Sequence, residues 1–278
     1  MNVFFACGSA KSGTTWLQRI LDAHPEVCCS GEGHFVDRFS VPAAQVVNAY
    51  NRGLTNDGRM VYEGRPYYQG VDQAEFDEIV RGFIVKRLHA RADNRTRWVG
   101  DKTPAYTRHL KQLLRLFPEA RIFHIVRDPR EVAVSRMGHS LRAGASEAMT
   151  PGAEQYRQTI EGAVRLWREA VTAVDAFAHE HPGVVHELRY VDLHADPRGE
   201  AEKMFGFLGV STAPALIEQV VAATSFEALT GRPRGQEDLA SFLRKGVLGD
   251  WKTRLDAESV QLIHERCGDL MREKRFAA

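Results

Sequence analysis

The chain has almost no net charge: 37 Lys and Arg stand against 36 Asp and Glu, leaving +1 at pH 7. A general nucleic-acid binder carries a basic excess, so none is expected, and any anion site must be built locally. No run approaches the ~20 apolar residues that a membrane-spanning helix needs. Cysteine is scarce, with four in 278 residues. Cys7, Cys28, Cys29 and Cys267 lack metal-ligand spacing, and adjacent Cys28 and Cys29 make a poor disulfide. Structural thiols in a reducing cytoplasm are the simplest account. The N-terminus enters an apolar run directly, without the basic start, apolar core and cleavage site of a signal peptide, so a cytoplasmic protein is expected. No internal repeat, low-complexity tract or linker divides the chain, which is read as one domain over 1–278.

What is present is concentrated near the start. Val3-Phe4-Phe5-Ala6-Cys7 is an apolar run that ends at Gly8. A small-residue loop follows, and Trp16, Leu17, Ile20 and Leu21 then repeat at helical spacing. Strand, tight loop and helix N-terminus make an anion cradle, because free backbone N–H groups and the positive helix end point at one spot. Lys11 adds a mobile positive charge, and Ser12, Gly13, Thr14 and Thr15 complete the loop. The nucleoside-triphosphate loop is G-x-x-x-x-G-K-[ST], with lysine after the last glycine. Here Lys11 precedes Gly13, so the loop binds a phosphate-type group in a different manner.

Further apolar runs at Ile122–Val126 and Val184–Leu188, with a shorter one at Trp98–Gly100, read as buried parallel strands. Helical patterns cover Thr14–Ala23, Gln73–Arg91, Tyr106–Phe117, Arg130–Ser140, Glu154–His179 and Arg198–Leu208, and a last helix runs from about Ala257 to Lys274. Alternating strands and helices predict an α/β fold, a three-layer sandwich with a central parallel β-sheet. Ligands of such sheets sit beyond the carboxyl ends of the strands, where the Lys11 loop lies. Ser40–Gly70 has no clear periodicity and reads as an irregular insertion on the substrate side. Residues 229–250, rich in Gly and charge, read as a flap. Trp167, at helical spacing, reads as core, and His179 and His181 as favouring a helix end. Tyr62, Tyr67 and Tyr68 either line an acceptor pocket or pack on the body.

A second anion site is written into Arg121–Arg130, a strand ending in Arg127 and followed by a helix that starts near Pro129. Ser135 lies eight residues beyond Arg127, on that helix. An arginine fork and a serine hydroxyl suit a dianionic phosphate. In triphosphate enzymes a strand of this kind often ends in a magnesium-binding aspartate instead. A third basic piece is Arg244-Lys245-Gly246, followed by Gly249-Asp250-Trp251-Lys252.

Together these residues resemble the sulfotransferases that use 3′-phosphoadenosine 5′-phosphosulfate (PAPS). Lys11-Ser12-Gly13-Thr14-Thr15-Trp16 is similar to the family's 5′-phosphosulfate loop, Arg127 and Ser135 to its 3′-phosphate motif, and Arg244-Lys245-Gly246 to its closing segment. Tyr190, Thr224 and Phe226 stand where such enzymes contact the adenine. The resemblance spans residue 3 to about 254. It implies PAPS as co-substrate, the adenosine bisphosphate PAP as product, and no metal.

On the acceptor side the cytosolic His-Leu-Pro segment is missing. Gly100-Asp101-Lys102-Thr103-Pro104-Ala105-Tyr106 and Glu32-Gly33-His34-Phe35-Val36-Asp37 instead resemble the heparan-sulfate 3-O-sulfotransferases and many bacterial members. That likeness implies Glu32 as the base, with His34, Asp37 and Lys102 around the acceptor. His34 is the rival base, since an imidazole titrates nearer neutrality. The acceptor is a small molecule, lipid or glycan hydroxyl, and homo-oligomerisation is left open. Two other functions share this start: a phosphotransferase of the nucleoside-kinase type, and a catalytically silent nucleotide-binding module.

Overall fold

Six residues from Asn2 to Cys7 form the first strand, β1, and Phe4, Phe5, Ala6 and Cys7 are wholly buried. Burial on both faces suits an apolar run inside a parallel sheet. A computed structural model describes residues 1–65, 67–142, 144, 150–238, 240–241 and 243–276. Its other strands are β2 (Val27–Gly31), β3 (Trp98–Lys102), β4 (Arg121–Val126) and β5 (Val185–Arg189). They lie in the order β2-β3-β1-β4-β5, and every pairing is parallel. The sheet is the middle layer of an α/β sandwich, as expected.

Alternation along β1 divides the core. Phe4 and Ala6 pack with Leu17, Ile20 and Leu21 of helix α1 (Thr14–Asp22). Phe5 and Cys7 face the other way, onto Phe76, Val80 and Ile84. A third cluster joins Val132 and Met137 to Trp167, Ile263 and Cys267. Trp167 is thus core, as its spacing implied.

Two expectations need correction. Ser40–Gly70 is not irregular throughout: Val41–Met60 is a 20-residue helix, α2. Only Gly58 of that helix is fully buried, and Ala43, Ala44 and Val47 pack on the core only partly buried, so its apolar stripe is short. Tyr106–Phe117 is not one helix. A 3-10 turn over Pro104–Arg108 precedes α4 (Leu110–Leu116), since the Tyr106 hydroxyl is tied back to Asp101. Helix α3 spans Gln73–Leu88, α5 Pro129–Arg142 and α6 Glu154–Glu180, and the last helix spans Ala257–Glu273. The expected flap opens with a short helix, Phe226–Thr230, and residues 239 and 242 within it lie outside the described residues. Among the described residues no helix is long and apolar enough to cross a membrane.

Candidate functional site

A cleft opens over the carboxyl ends of β1 and β4, with a volume of about 1100 Å³ including its open mouth. The Lys11 loop forms one wall. Ser12 N–H donates to Ser9 O at 3.0 Å, and Trp16 and Leu17 N–H donate to Gly13 O at 3.0 and 3.1 Å. That closes the first turn of α1 and leaves the N–H groups of Thr14 and Thr15 with no acceptor inside the helix. Gly13 has φ 97, and a Cβ there would meet the Tyr190 ring at 2.5 Å, so the turn requires glycine. Lys11 itself sits at φ 76, uncommon for a residue with a side chain. Burial pushes its ammonium down from the ordinary lysine value, and the Arg142 and Arg136 charges push the same way. Ser12 Oγ is buried without a partner among the described residues.

Arg127 projects from the end of β4 into the same cleft. Trp167 Nε1 donates to its carbonyl at 2.7 Å. Arg127 Nη1 donates to Lys11 O at 3.4 Å and Nη2 to Glu131 at 3.1 Å, and the guanidinium lies 4.3 Å above the Tyr190 ring. Its buried Nε has no partner among the described residues, a donor held ready for an anion. Ser135 lines the cleft from α5. Arg244, Lys245 and Gly246 line it too, but the cations are already engaged. Arg244 pairs with Glu237 and Asp250, and Lys245 with Asp250 at 2.8 Å. Burial pulls the Asp250 carboxyl up, and Arg244 and Lys245 outweigh it, holding the group below the usual range.

Aromatic rings line the same cleft. Trp16 meets Tyr190 edge-on at 5.7 Å, and its Nε1 donates to Thr224 O at 2.9 Å. Thr224 and Phe226 face the cleft beside them. Apolar rings and cationic side chains thus line one hollow.

Glu32, His34 and Lys102 stand together, outside the lining of that cleft. Glu32 Oε1 accepts from Lys102 Nζ at 2.5 Å, and Oε2 lies 3.5 Å from His34 Nε2. His34 Nδ1 bonds Asp37 at 2.9 Å. Glu32 and Lys102 line a shallow polar depression with Gln18, Arg19, Asp22 and Arg91. Burial pulls the Glu32 carboxyl up, while Lys102 and then His34 pull it down further, so it ends below the ordinary value. Lys102 pairs with Ala6 of β1 and with Gly31 of β2, so the trio stands at the same carboxyl edge of the sheet as the Lys11 loop.

A model described as the sulfotransferase family matches residues 4–214. The chain belongs to that family. It is 24% identical over 206 residues to a putative protein-tyrosine sulfotransferase of Caenorhabditis briggsae, covering 74% of this chain and 65% of that protein. It is 31% identical over 236 residues to protein-tyrosine sulfotransferase 2 of Gallus gallus, covering 84% of this chain and 56% of that protein. The chain therefore spans less than two thirds of the length of these relatives. A mouse sulfotransferase solved with PAP shares the fold, with a TM-score of 0.57, 18% identity, and coverage of 98% of this chain and 84% of that one.

Several cleft residues of this chain were not anticipated from its sequence. Glu131 is buried, accepting from Arg127 through Oε2 and from Gly249 N–H at 2.6 Å through Oε1. His139 and Arg142 also line the cleft, and Arg142 donates to His139 Nδ1 at 2.7 Å. The charge of Lys11, then burial, then Arg142 and Arg136 hold the His139 imidazole below its ordinary value. Helical spacing from Ser135 would have found both, since i, i+4 and i+7 share a face. Tyr62, Tyr67 and Tyr68 are exposed and line neither hollow. All four cysteines are free and buried, and burial pushes the Cys267 thiol up to about 12, against thiolate chemistry. Among the described residues no cluster of three His, Cys, Asp or Glu stands ready to hold a metal ion.

Proposed function

We propose that this sulfotransferase moves the sulfuryl group of PAPS to an acceptor hydroxyl by in-line displacement. The observation that carries this reading is that the Lys11 loop and the Arg127–Ser135 pair line one cleft, as a donor anionic at both ends requires. The unpartnered Arg127 Nε and Ser12 Oγ fit such a donor.

Sulfuryl transfer, like phosphoryl transfer, is governed by positioning and charge stabilisation. Thr14, Thr15 and the N-terminus of α1 hold the 5′-phosphate. Arg127 and Ser135, closed over by Arg244, Lys245 and Gly246, hold the 3′-phosphate. Trp16, Tyr190, Thr224 and Phe226 flank the adenine. Lys11 neutralises the charge that grows on the bridging oxygen as the S–O bond breaks. Glu32 takes the acceptor proton, with Lys102 and His34 orienting its carboxylate. The carboxylate's 44% side-chain exposure leaves it open to an incoming alcohol.

Calorimetric titration with PAP, set against ATP plus magnesium, tests the donor. PAP is expected to bind alone, whereas binding of ATP with magnesium and none of PAP would assign the kinase-type reading. Transfer from labelled PAPS to a panel of alcohols, read by mass spectrometry, excludes a silent module. Lys11→Ala is expected to lower kcat by about 10²–10³-fold, the usual cost of removing one donor aimed at developing charge. PAP affinity should change far less, because the product lacks the bond being broken. Equal losses in both would make Lys11 a binding group only.

A further inference from the structure

The loop carrying Glu32 and His34 offers three consecutive backbone N–H groups, and each is taken by a different side chain from the segment at the end of β3. Gly33 N–H donates to both Asp101 oxygens, at 2.9 and 3.1 Å. His34 N–H donates to Thr103 Oγ1 at 3.3 Å, and Phe35 N–H to the Tyr106 hydroxyl at 3.4 Å. The three acceptors are tied to one another. Thr103 Oγ1 and Tyr106 Oη donate to Asp101 Oδ2 at 2.7 and 2.8 Å. Asp101 is 1% exposed, and Thr103 and Tyr106 are fully buried. The buried carboxylate thus has every need met by neutral donors, the condition under which such a network is rigid.

The loop would not hold this shape by itself. His34 has φ 48, a left-handed conformation that non-glycine residues keep only when their surroundings impose it. A Cβ on Gly33 would lie 2.5 Å from the buried Phe35 ring, so the chain passes without room for a side chain. Successive residues of an extended segment point to opposite sides. Asp101 and Thr103 face the loop's backbone, while Lys102 between them reaches the Glu32 carboxylate.

We propose that Asp101, Thr103 and Tyr106 are positioning residues. They clamp the backbone of residues 33–35 so that Glu32 is held between Lys102 and His34, and none of the three touches donor or acceptor. The kinetic half of this proposal rests on the sulfuryl-transfer reading above, and the structural half does not.

Asp101→Asn risks misfolding, so Thr103→Val and Tyr106→Phe carry the test, each deleting at nearly constant shape one hydroxyl that accepts from the loop and donates to Asp101. Residue-resolved amide exchange is read first. Thr103→Val should speed exchange at His34, and Tyr106→Phe at Phe35, each by about tenfold, the worth of one hydrogen bond. Amides of β1 and β4 should be unaffected in both. In transfer assays each variant should lose about tenfold or more in kcat while PAP affinity and acceptor KM stay near wild type, and Thr103→Ser should restore activity. Unchanged exchange at residues 33–35 overturns the clamp, whatever the wild type catalyses. Lost protection with unchanged kcat overturns the positioning role. A wild type that transfers no sulfuryl group from PAPS overturns the parent reading instead, and the kinetic half with it.

Discussion

Glu32→Gln is expected to lower kcat for sulfuryl transfer by about 10²–10⁴-fold, the range for loss of a general base. PAP affinity should be little changed, since Glu32 is not part of the cleft that holds Arg127 and the Lys11 loop. Glutamine keeps the shape and can still accept from Lys102, so the variant isolates the proton-accepting role. The pH profile gives an independent reading. Because Lys102 and His34 hold the Glu32 carboxyl below the ordinary range, the basic form persists as pH falls. The acid limb of kcat should therefore lie below about pH 4.3, the free glutamate value. A Glu32→Gln enzyme that keeps full activity transfers the base role to His34 or another group.

Arg127→Ala should weaken PAP binding by about 10²–10³-fold, because truncating one partner of a buried charge pair also strands the other. The stranded group is Glu131, whose carboxylate is buried and bonded to Arg127 and to Gly249 N–H. Left unpaired, it would repel the 3′-phosphate as well as pay its own desolvation. The double variant Arg127→Ala/Glu131→Gln should then bind PAP more tightly than Arg127→Ala alone, and isothermal titration of the pair gives the coupling directly. PAP binding equal to wild type in Arg127→Ala would remove the second anion grip from the site. A double variant no better than the single would show that Glu131 is compensated by other groups.

The legible parts of the site are those written over short stretches. Lys11 to Trp16 occupy six consecutive positions, the end of the loop after β1 and the first turn of α1, and the composition of that stretch allows little else. Arg127 and Ser135 share a strand end and the first turns of one helix. The acceptor trio was legible as two segments but not as one arrangement. That Lys102 grips Glu32 follows from the neighbouring position of β2 and β3, which pair Gly31 with Lys102. The helix α2 is not legible in the sequence because it meets the core only through a short, partly buried stripe at Ala43, Ala44 and Val47, and periodicity records burial rather than helicity. The Arg244 and Lys245 pair was read as cationic, and its balance by Glu237 and Asp250 emerges only in the folded chain.

By itself the sequence determined the strand–loop–helix cradle, the cation at the end of β4 and the α/β alternation, because each depends on residues within about four helical turns of one another. Tertiary structure alone decided which charges meet. Asp101 and Gly33 are 68 positions apart, and Glu131 and Gly249 are 118 apart. Such pairs are selected by the strand order β2-β3-β1-β4-β5 and by the demand that buried polar groups find partners, neither of which is expressed by neighbouring residues.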